Sequence, residues 1–105
     1  MAIYNTTITA TSAGSANTLA SGSGQRAITT VIICNTGAVD RTVTLYAIPS
    51  GGTAGTSTMI VNALNVPAGD TVSFDQEKMV LAAGDELKAI CSASGLTATV
   101  STLSV

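Results

Sequence analysis

The side chains of this chain that could do chemistry are few and mostly isolated. The sequence contains no histidine, which excludes the usual nucleophile–histidine–acid triad. A serine–lysine pair could form only through Lys78 or Lys88, and both lysines occupy polar positions of alternating segments, where a solvated side chain is the expected state. We therefore predict no catalytic residue and no enzymatic activity.

Carboxylates offer two further chemistries, acid–base catalysis and metal binding. Asp75 and Glu77 would share one face of a strand, which is typical of polar surface rather than of two carboxylates held in different environments. Two further aspartates, Asp70 and Asp85, follow glycines in turns and lack the dense oxygen spacing of a calcium loop. We predict no metal site and no cofactor.

Two other features are weak signs of ligand binding. The glycine-rich stretch 51–56 lacks the Lys-Ser/Thr ending and the following helix of a phosphate-binding loop. Tyr46, predicted to face outward, would offer a sugar ring a stacking platform beside the loop 50–57, although a single ring is weak support. A receptor- or glycan-binding module stays open as an alternative function.

Charge is scarce along this chain of 105 residues. Four Lys or Arg residues stand against six Asp or Glu residues, which gives a net charge of −2. Four dispersed cations cannot form the basic stripe that nucleic acid requires or the polybasic patch that attracts anionic lipid. We therefore predict neither a nucleic-acid nor a membrane partner. The 17 Thr and 11 Ser residues instead predict an uncharged polar surface, suited to contact with other protein.

Cys34 and Cys91 are the only cysteines of the chain. They form either a bridge between two strands or two small buried hydrophobic side chains. Since no secretion signal is visible, we favour free thiols. No segment approaches the ~20 apolar residues that a membrane-spanning helix requires.

Short alternating segments separated by turn residues predict an all-β fold. About eight short strands at near-regular spacing indicate a single antiparallel β-sandwich that is jelly-roll-like. Residues 1–24 are expected to form an N-terminal strand and a small-residue arm, and residues 25–105 the sandwich core of one domain. In the last strand the apolar parity shifts near Ser101, which indicates a bulge.

The segment 27–35 is the strongest predicted strand, and it is apolar on both sides. A strand with two apolar faces needs cover on both, which either a loop or a partner subunit could supply. We therefore expect Val31 and Ile33, with the outward Tyr46, to contact another protein subunit. The two predicted faces of the strand are Ile28, Ile32 and Cys34 on one side and Val31 and Ile33 on the other.

Two near-duplicate turns complete the pattern. The Ala-Gly-Asp sequence at 68–70 recurs fifteen residues later at 83–85, each time after an apolar residue and before an alternating run. Glycine supplies the positive φ of a tight reversal, and aspartate hydrogen-bonds the nearby backbone. We expect both turns to form corners of one sandwich.

The run 34–46, followed by the two Ala-Gly-Asp turns, resembles small virion proteins of tailed bacteriophages. In that group a strand ending in Cys-Asn or a similar pair precedes an Asp-Arg-Thr-Val-Thr-Leu strand, and a Pro/Ala-Ala-Gly-Asp-Thr turn and a hydrophobic last strand follow. The resemblance covers residues 28–104. It implies a β-sandwich that decorates a capsid or forms an accessory part of a tail, and it implies no catalytic residue.

The leading expectation is therefore a capsid cement or decoration protein in the virion. It would bind the major capsid protein or another virion protein, as a homo-oligomer with a trimer favoured, and would stabilise the shell by bridging capsid subunits. A tail, collar or baseplate accessory protein is the structural alternative. The glycan-binding module remains the alternative of a different class.

Overall fold

The structure is a computed structural model, and it describes residues 2–22, 24–74 and 79–104. Within these ranges the chain forms nine β-strands, a single 3₁₀ turn at Ala13–Ser15 and no α-helix, which confirms the all-β prediction. The strands are β1 (Ala2–Ile8), β2 (Asn17–Ser21), β3 (Arg26–Asn35), β4 (Arg41–Ile48), β5 (Met59–Val66), β6 (Thr71–Phe74), β7 (Met79–Leu81), β8 (Glu86–Cys91) and β9 (Leu96–Ser104).

The strands form two antiparallel sheets whose pairing is nested. β4 pairs with β5, β3 with both β6 and β7, β2 with β8, and β1 with β9, so the two halves of the chain pair in reverse order. A five-stranded sheet has the order β1-β9-β3-β6, with β7 also paired to β3, and a four-stranded sheet has the order β2-β8-β4-β5. This is the strand order of a jelly roll with one strand divided into β6 and β7, and it confirms the predicted sandwich.

The core lies between the two sheets and consists of aliphatic side chains from alternate strand positions. In β8 the inward residues Leu87, Ala89 and Cys91 are buried, while the residues between them are half-buried. The same alternation places Leu96, Ala98 and Val100 of β9 inside. Most of the remaining buried cluster comes from Ile8, Leu19, Ile28, Val31, Ile33, Val43, Leu45, Val66 and Leu81.

A bulge in β3 corrects the predicted faces of the strongest strand. Ile28 pairs with Thr102 and Thr30 with Ser101, so Thr29 is an extra residue on β3 and its hydroxyl donates a hydrogen bond to the Ser101 carbonyl. The bulge reverses the parity of the residues that follow it, and Ile28, Val31 and Ile33 therefore share the core face. The irregularity predicted at Ser101 exists, but the extra residue lies in the partner strand.

The paired turns are corners of the sandwich, as predicted. The turn at 67–70 leads from β5 in the four-stranded sheet to β6 in the five-stranded sheet, and the turn at 82–85 leads back from β7 to β8. Gly69 and Gly84 have φ values of 73° and 88°, in the region that favours glycine. The two turns adjoin opposite ends of β3, because Asn35 bonds to the first turn and Arg26 pairs with Leu81 just before the second.

The N-terminal segment contributes a strand to each sheet. β1 pairs with β9 along its whole length, and β2 pairs with β8 across a small register shift. The segment predicted as a small-residue arm therefore pairs within its own chain over β2. For residues 76–81 the sequence does not decide between helix and strand, because Glu77, Lys78 and Met79 favour a helix that six residues are too few to form. The structure has a strand at Met79–Leu81, and residues 76–78 lie outside the described residues.

Candidate interaction surface

The residues with candidate chemistry do not form a reaction centre in the part of the chain that is described. Lys88 Nζ lies 3.7 Å from a Glu86 carboxylate oxygen on the outer face of the four-stranded sheet. Lys78, Asp75 and Glu77 lie outside the described residues. No group of three or more His, Cys, Asp or Glu side chains is placed to hold a metal ion within residues 2–22, 24–74 and 79–104. None of the helical segments in those same ranges is long and apolar enough to cross a membrane.

The aspartates of the two corner turns bind backbone amides. The Asp85 carboxylate accepts hydrogen bonds from the Ser50 amide at 2.9 Å and from the Ala82 amide at 3.0 Å. The Asp70 carboxylate accepts one from the Thr71 amide at 2.9 Å. These carboxylates stabilise turns, which is the role that the sequence predicts for them.

Val31, Ile33 and Tyr46, which the sequence predicts as contacts with another subunit or a capsid, are buried within the chain itself. Their exposed fractions are 3%, 0% and 2%. Val31 and Ile33 face the core because the bulge at Thr29 reverses the parity of β3. Any contact with a partner must therefore use other side chains.

Tyr46 does face outward from the sandwich, yet it is covered by its own chain. It lies in register between Lys88 of β8 and Met59 of β5. The loop between β4 and β5 begins beside the next outward residue, Ile48, where a methyl group on Gly52 would lie 3.2 Å from Ile48 Cγ2. The predicted platform for a sugar ring is therefore buried, which removes the aromatic side chain on which the glycan-binding alternative depended.

The outer face of the five-stranded sheet is open and carries exposed apolar side chains. The residues opposite to the core positions, by register, include Ile3 of β1, Leu103 of β9, Val80 of β7 and Ile32 of β3. Their exposed fractions are 67%, 44%, 61% and 37%. Exposed aliphatic side chains grouped on one face are a feature of protein-binding surfaces.

Three of these residues, Ile3, Val80 and Leu103, form a continuous apolar patch with Ala27 at one end of the sheet. Leu103, Ala27 and Val80 are aligned across β9, β3 and β7. Ile3 pairs with Ser101 and is thus a diagonal neighbour of Leu103, at the ~7–8 Å separation across which long side chains interact. We call Ile3, Ala27, Val80 and Leu103 the apolar patch.

Apart from Ile32 and Cys34, the rest of this outer face is polar, and its described residues carry no charge. Thr97 and Thr99 of β9 lie beside Asn5 and Thr7 of β1, and the Thr99 hydroxyl donates a hydrogen bond to the Asn5 side chain at 2.8 Å. The charged side chains in the described ranges lie elsewhere. Arg26 is on the core side of β3 next to Tyr4, and the others lie in turns and loops or on the four-stranded sheet. The charged residues in these ranges are Arg26, Asp40, Arg41, Asp70, Asp85, Glu86 and Lys88.

The two cysteines lie in different layers and are both free thiols, as predicted. Cys34 is half-buried on the outer face of β3, between Thr97 and Thr71, whereas Cys91 is buried in the core. The Cys91 thiol donates to the backbone carbonyls of Ile8 and Ala10, at 3.5 and 3.4 Å. Burial raises the pKa of Cys91, and a backbone hydrogen bond at Ala93 and the charge of Arg41 oppose that rise.

Sequence reasoning missed the apolar patch for identifiable reasons. Ile3 precedes the clear alternation of residues 4–11, and Val80 lies in the segment 76–81, whose type the sequence does not decide. Leu103 was not recognised as an outward residue because its neighbour Thr102, although polar, is buried at 2% exposure. The end of β9 thus reverses the usual pattern of apolar residues inside and polar residues outside. The outward parity of Ile3 relative to Tyr4 and Ile8 was the one available signal.

No protein-family model, curated protein or solved structure matches this chain. The similarity of residues 34–46 and of the two turns to bacteriophage virion proteins therefore stays a prediction. The candidate site is the open outer face of the five-stranded sheet, which carries no charge among the described residues.

Proposed function

We propose that this chain is a structural protein of a bacteriophage virion, and that it binds the capsid through the outer face of its five-stranded sheet. The observation that carries the proposal is the apolar patch on a face without charged side chains among the described residues. The centres of protein interfaces are depleted in charge, because a buried unpaired charge is costly. A cement protein would use such a face to bridge neighbouring subunits of the major capsid protein.

The size of the face supports a protein partner. β3 has ten residues and so extends ~34 Å, and four strand widths add ~19 Å, which gives a face of ~600 Å². A standard interface buries about 800 Å² on each partner. A face of this size, with contacts at its rim, is sufficient for a specific complex.

The jelly-roll strand order adds an argument by analogy. This architecture recurs in viral capsid proteins, and it recurs equally in lectins and cupins, so the fold alone does not select a function. A lectin function would require a sugar-binding platform, and Tyr46 is buried. A homo-oligomer, with a trimer favoured, belongs to the same proposal, since several copies would span several capsid subunits.

The test uses the phage that encodes this chain. Particles are purified from the wild type and from variants with Ile3→Lys or Val80→Lys, and the amount of the protein in each particle is measured by quantitative mass spectrometry. A charge in the patch should reduce occupancy at least tenfold, because it would be buried on binding. Val39→Lys is the matched control, since Val39 is 59% exposed in the β3–β4 loop, away from the patch, and should leave occupancy unchanged.

Copy number and heat release of DNA complete the test. Hundreds of copies per particle, with earlier DNA release from particles that lack the protein, would support the cement role. A few to tens of copies would transfer the proposal to the tail, collar or baseplate. A protein that is missing from wild-type particles would refute both structural roles.

A further inference from the structure

A second feature, separate from the open face, lies between the sheets at one side of the sandwich. Here the five-stranded sheet ends in β6 and β7, and the four-stranded sheet ends in β5. Between these edges is a cavity of about 560 Å³. Its described lining comes from both sheets and consists of Val31, Phe74 and Met79 on one side and Leu45, Ile60 and Val61 on the other.

The lining is chemically uniform. None of these six side chains carries a charge, a hydroxyl or an amide, and the Met79 thioether is only a weak acceptor. A water molecule beside these six side chains would find none of the strong polar side-chain partners that, two to four at a time, hold buried waters in place. Replacing that water by an apolar group is therefore favourable.

The depth and volume of the cavity suit a small ligand. Val31 and Leu45, at 3% and 2% exposure, form its floor, whereas Ile60 at 48% lies toward solvent. A cavity of ~150 Å³ already holds a benzene molecule, and sites for small molecules commonly enclose ~300–1,000 Å³. The volume here has room for an aliphatic chain or for a substituted ring.

The edges around the cavity disfavour a partner strand as its occupant. β5 is irregular, with two register shifts against β4 and with Ala63 at a φ of 51°. On the other side the described parts of the edge are β6, of four residues, and β7, of three. Short and bulged edges resist the addition of a strand from another chain. A free ligand needs no such pairing.

We propose that this cavity is a binding site for the uncharged hydrocarbon group of a small free ligand, an aliphatic chain or a single aromatic ring. Any polar group of that ligand would stay at the mouth beside Ile60. The site is independent of the proposed virion role, because its lining does not include the apolar patch. Failure of either proposal leaves the other standing.

The test is a titration of the folded chain with benzene and, separately, with 1-octanol, followed by methyl ¹H–¹³C NMR. We expect saturable shifts of the Val31, Leu45 and Val61 methyl groups. The Ile3 and Val80 methyl groups are the internal control, because their exposed fractions of 67% and 61% make them the first sites of unspecific apolar binding. Shifts that are as large at Ile3 and Val80, or shifts that do not saturate, would overturn the proposal.

A matched pair of substitutions locates the ligand. Val61→Phe fills the cavity from β5 and should weaken benzene affinity at least tenfold. Val72→Phe is the control, since Val72 is also half-buried against the core but does not line the cavity, and it should leave the affinity unchanged. If Val61→Phe does not fold, Val61→Leu adds less volume and should weaken affinity several-fold. Equal affinity in the wild type and in a folded Val61 variant would place benzene elsewhere and refute the site.

Discussion

The outer faces of the two sheets differ although both sheets follow the same alternation. On the four-stranded sheet the outward side chains Tyr46 and Ile48 are buried at 2% and 3% exposure. On the five-stranded sheet the outward Ile3 and Val80 are exposed at 67% and 61%. The covered face also carries the Glu86–Lys88 ion pair, whereas the open face carries no charge among the described residues.

The difference has a local cause in the connections between strands. The β4–β5 connection spans residues 49–58, and at Gly52 it passes close to the outward Ile48, since a methyl group on the glycine would lie 3.2 Å from Ile48 Cγ2. The described connections of the open sheet, such as the turns at 67–70 and 82–85, are short and lie at the ends of the sandwich. The outward side chains Tyr46 and Ile48 are thus covered within the chain, whereas Ile3 and Val80 are exposed.

The largest expected effect compares Tyr46 with Ile3. Tyr46→Ala removes a buried ring from the covered face and should lower the free energy of unfolding by about 3–5 kcal/mol. Ile3→Ala, on the open face, should change it by less than ~0.5 kcal/mol. Urea denaturation followed by circular dichroism measures both. Equal losses would show that the two faces are equally covered in solution.

The second prediction breaks a link between the two sheets at Asn35. This residue ends β3, is 1% exposed, and its side-chain amide donates to the carbonyls of Val39 and Val66, both at 2.9 Å. Asn35→Ala leaves these carbonyls without that donor and should cost about 2–3 kcal/mol of unfolding free energy.

Asn5 provides the control for that substitution. Asn5 lies on the open face and accepts one exposed hydrogen bond from Thr99, so Asn5→Ala should cost less than ~0.5 kcal/mol. Both free energies come from the same urea titration. A small loss at Asn35 would contradict its role in joining the sheets.

The cysteines test the same comparison without a mutation. Native protein treated with iodoacetamide should be alkylated first at Cys34, which is half-buried on the open face. Cys91 should react at least ~100-fold more slowly, because it is reached only when the core opens. Its raised pKa adds to the delay, since less of the reactive thiolate is present at a given pH. Peptide mass spectrometry at timed intervals gives both rates, and equal rates would contradict the layer assignment.

The sequence predicted the architecture well because the architecture depends on patterns that a sequence displays. Alternation indicates strands, and glycine with aspartate indicates turns, so the all-β sandwich and both corner turns could be recognised. The bulge at Thr29 could not be recognised from the sequence, because a bulge depends on which strands become neighbours. That single residue reversed the predicted faces of Val31 and Ile33.

The interaction surface was harder to predict than the fold for a related reason. Whether an outward residue is exposed depends on neighbours that the alternation does not reveal, as for Tyr46, which lies between Lys88 and Met59 at 2% exposure. The apolar patch is assembled from four strands, and its members become neighbours only through the jelly-roll pairing. In the sequence each of these residues appears as an isolated apolar residue, so nothing there indicates that they form one patch.

The smallest expected effect concerns Lys88 on the covered face. Its ion pair with Glu86 spans 3.7 Å between side chains that are 28% and 35% exposed, so the pair itself should contribute at most ~0.5 kcal/mol. Lys88→Met keeps the aliphatic stem beside Tyr46 and should cost no more than this, with the cost disappearing in 1 M salt. Lys88→Ala removes the stem as well and should cost up to ~1 kcal/mol more at either salt concentration. If the two variants are equally stable in urea, the stem of Lys88 does not cover the ring, and the burial of Tyr46 depends on Met59 and its other neighbours.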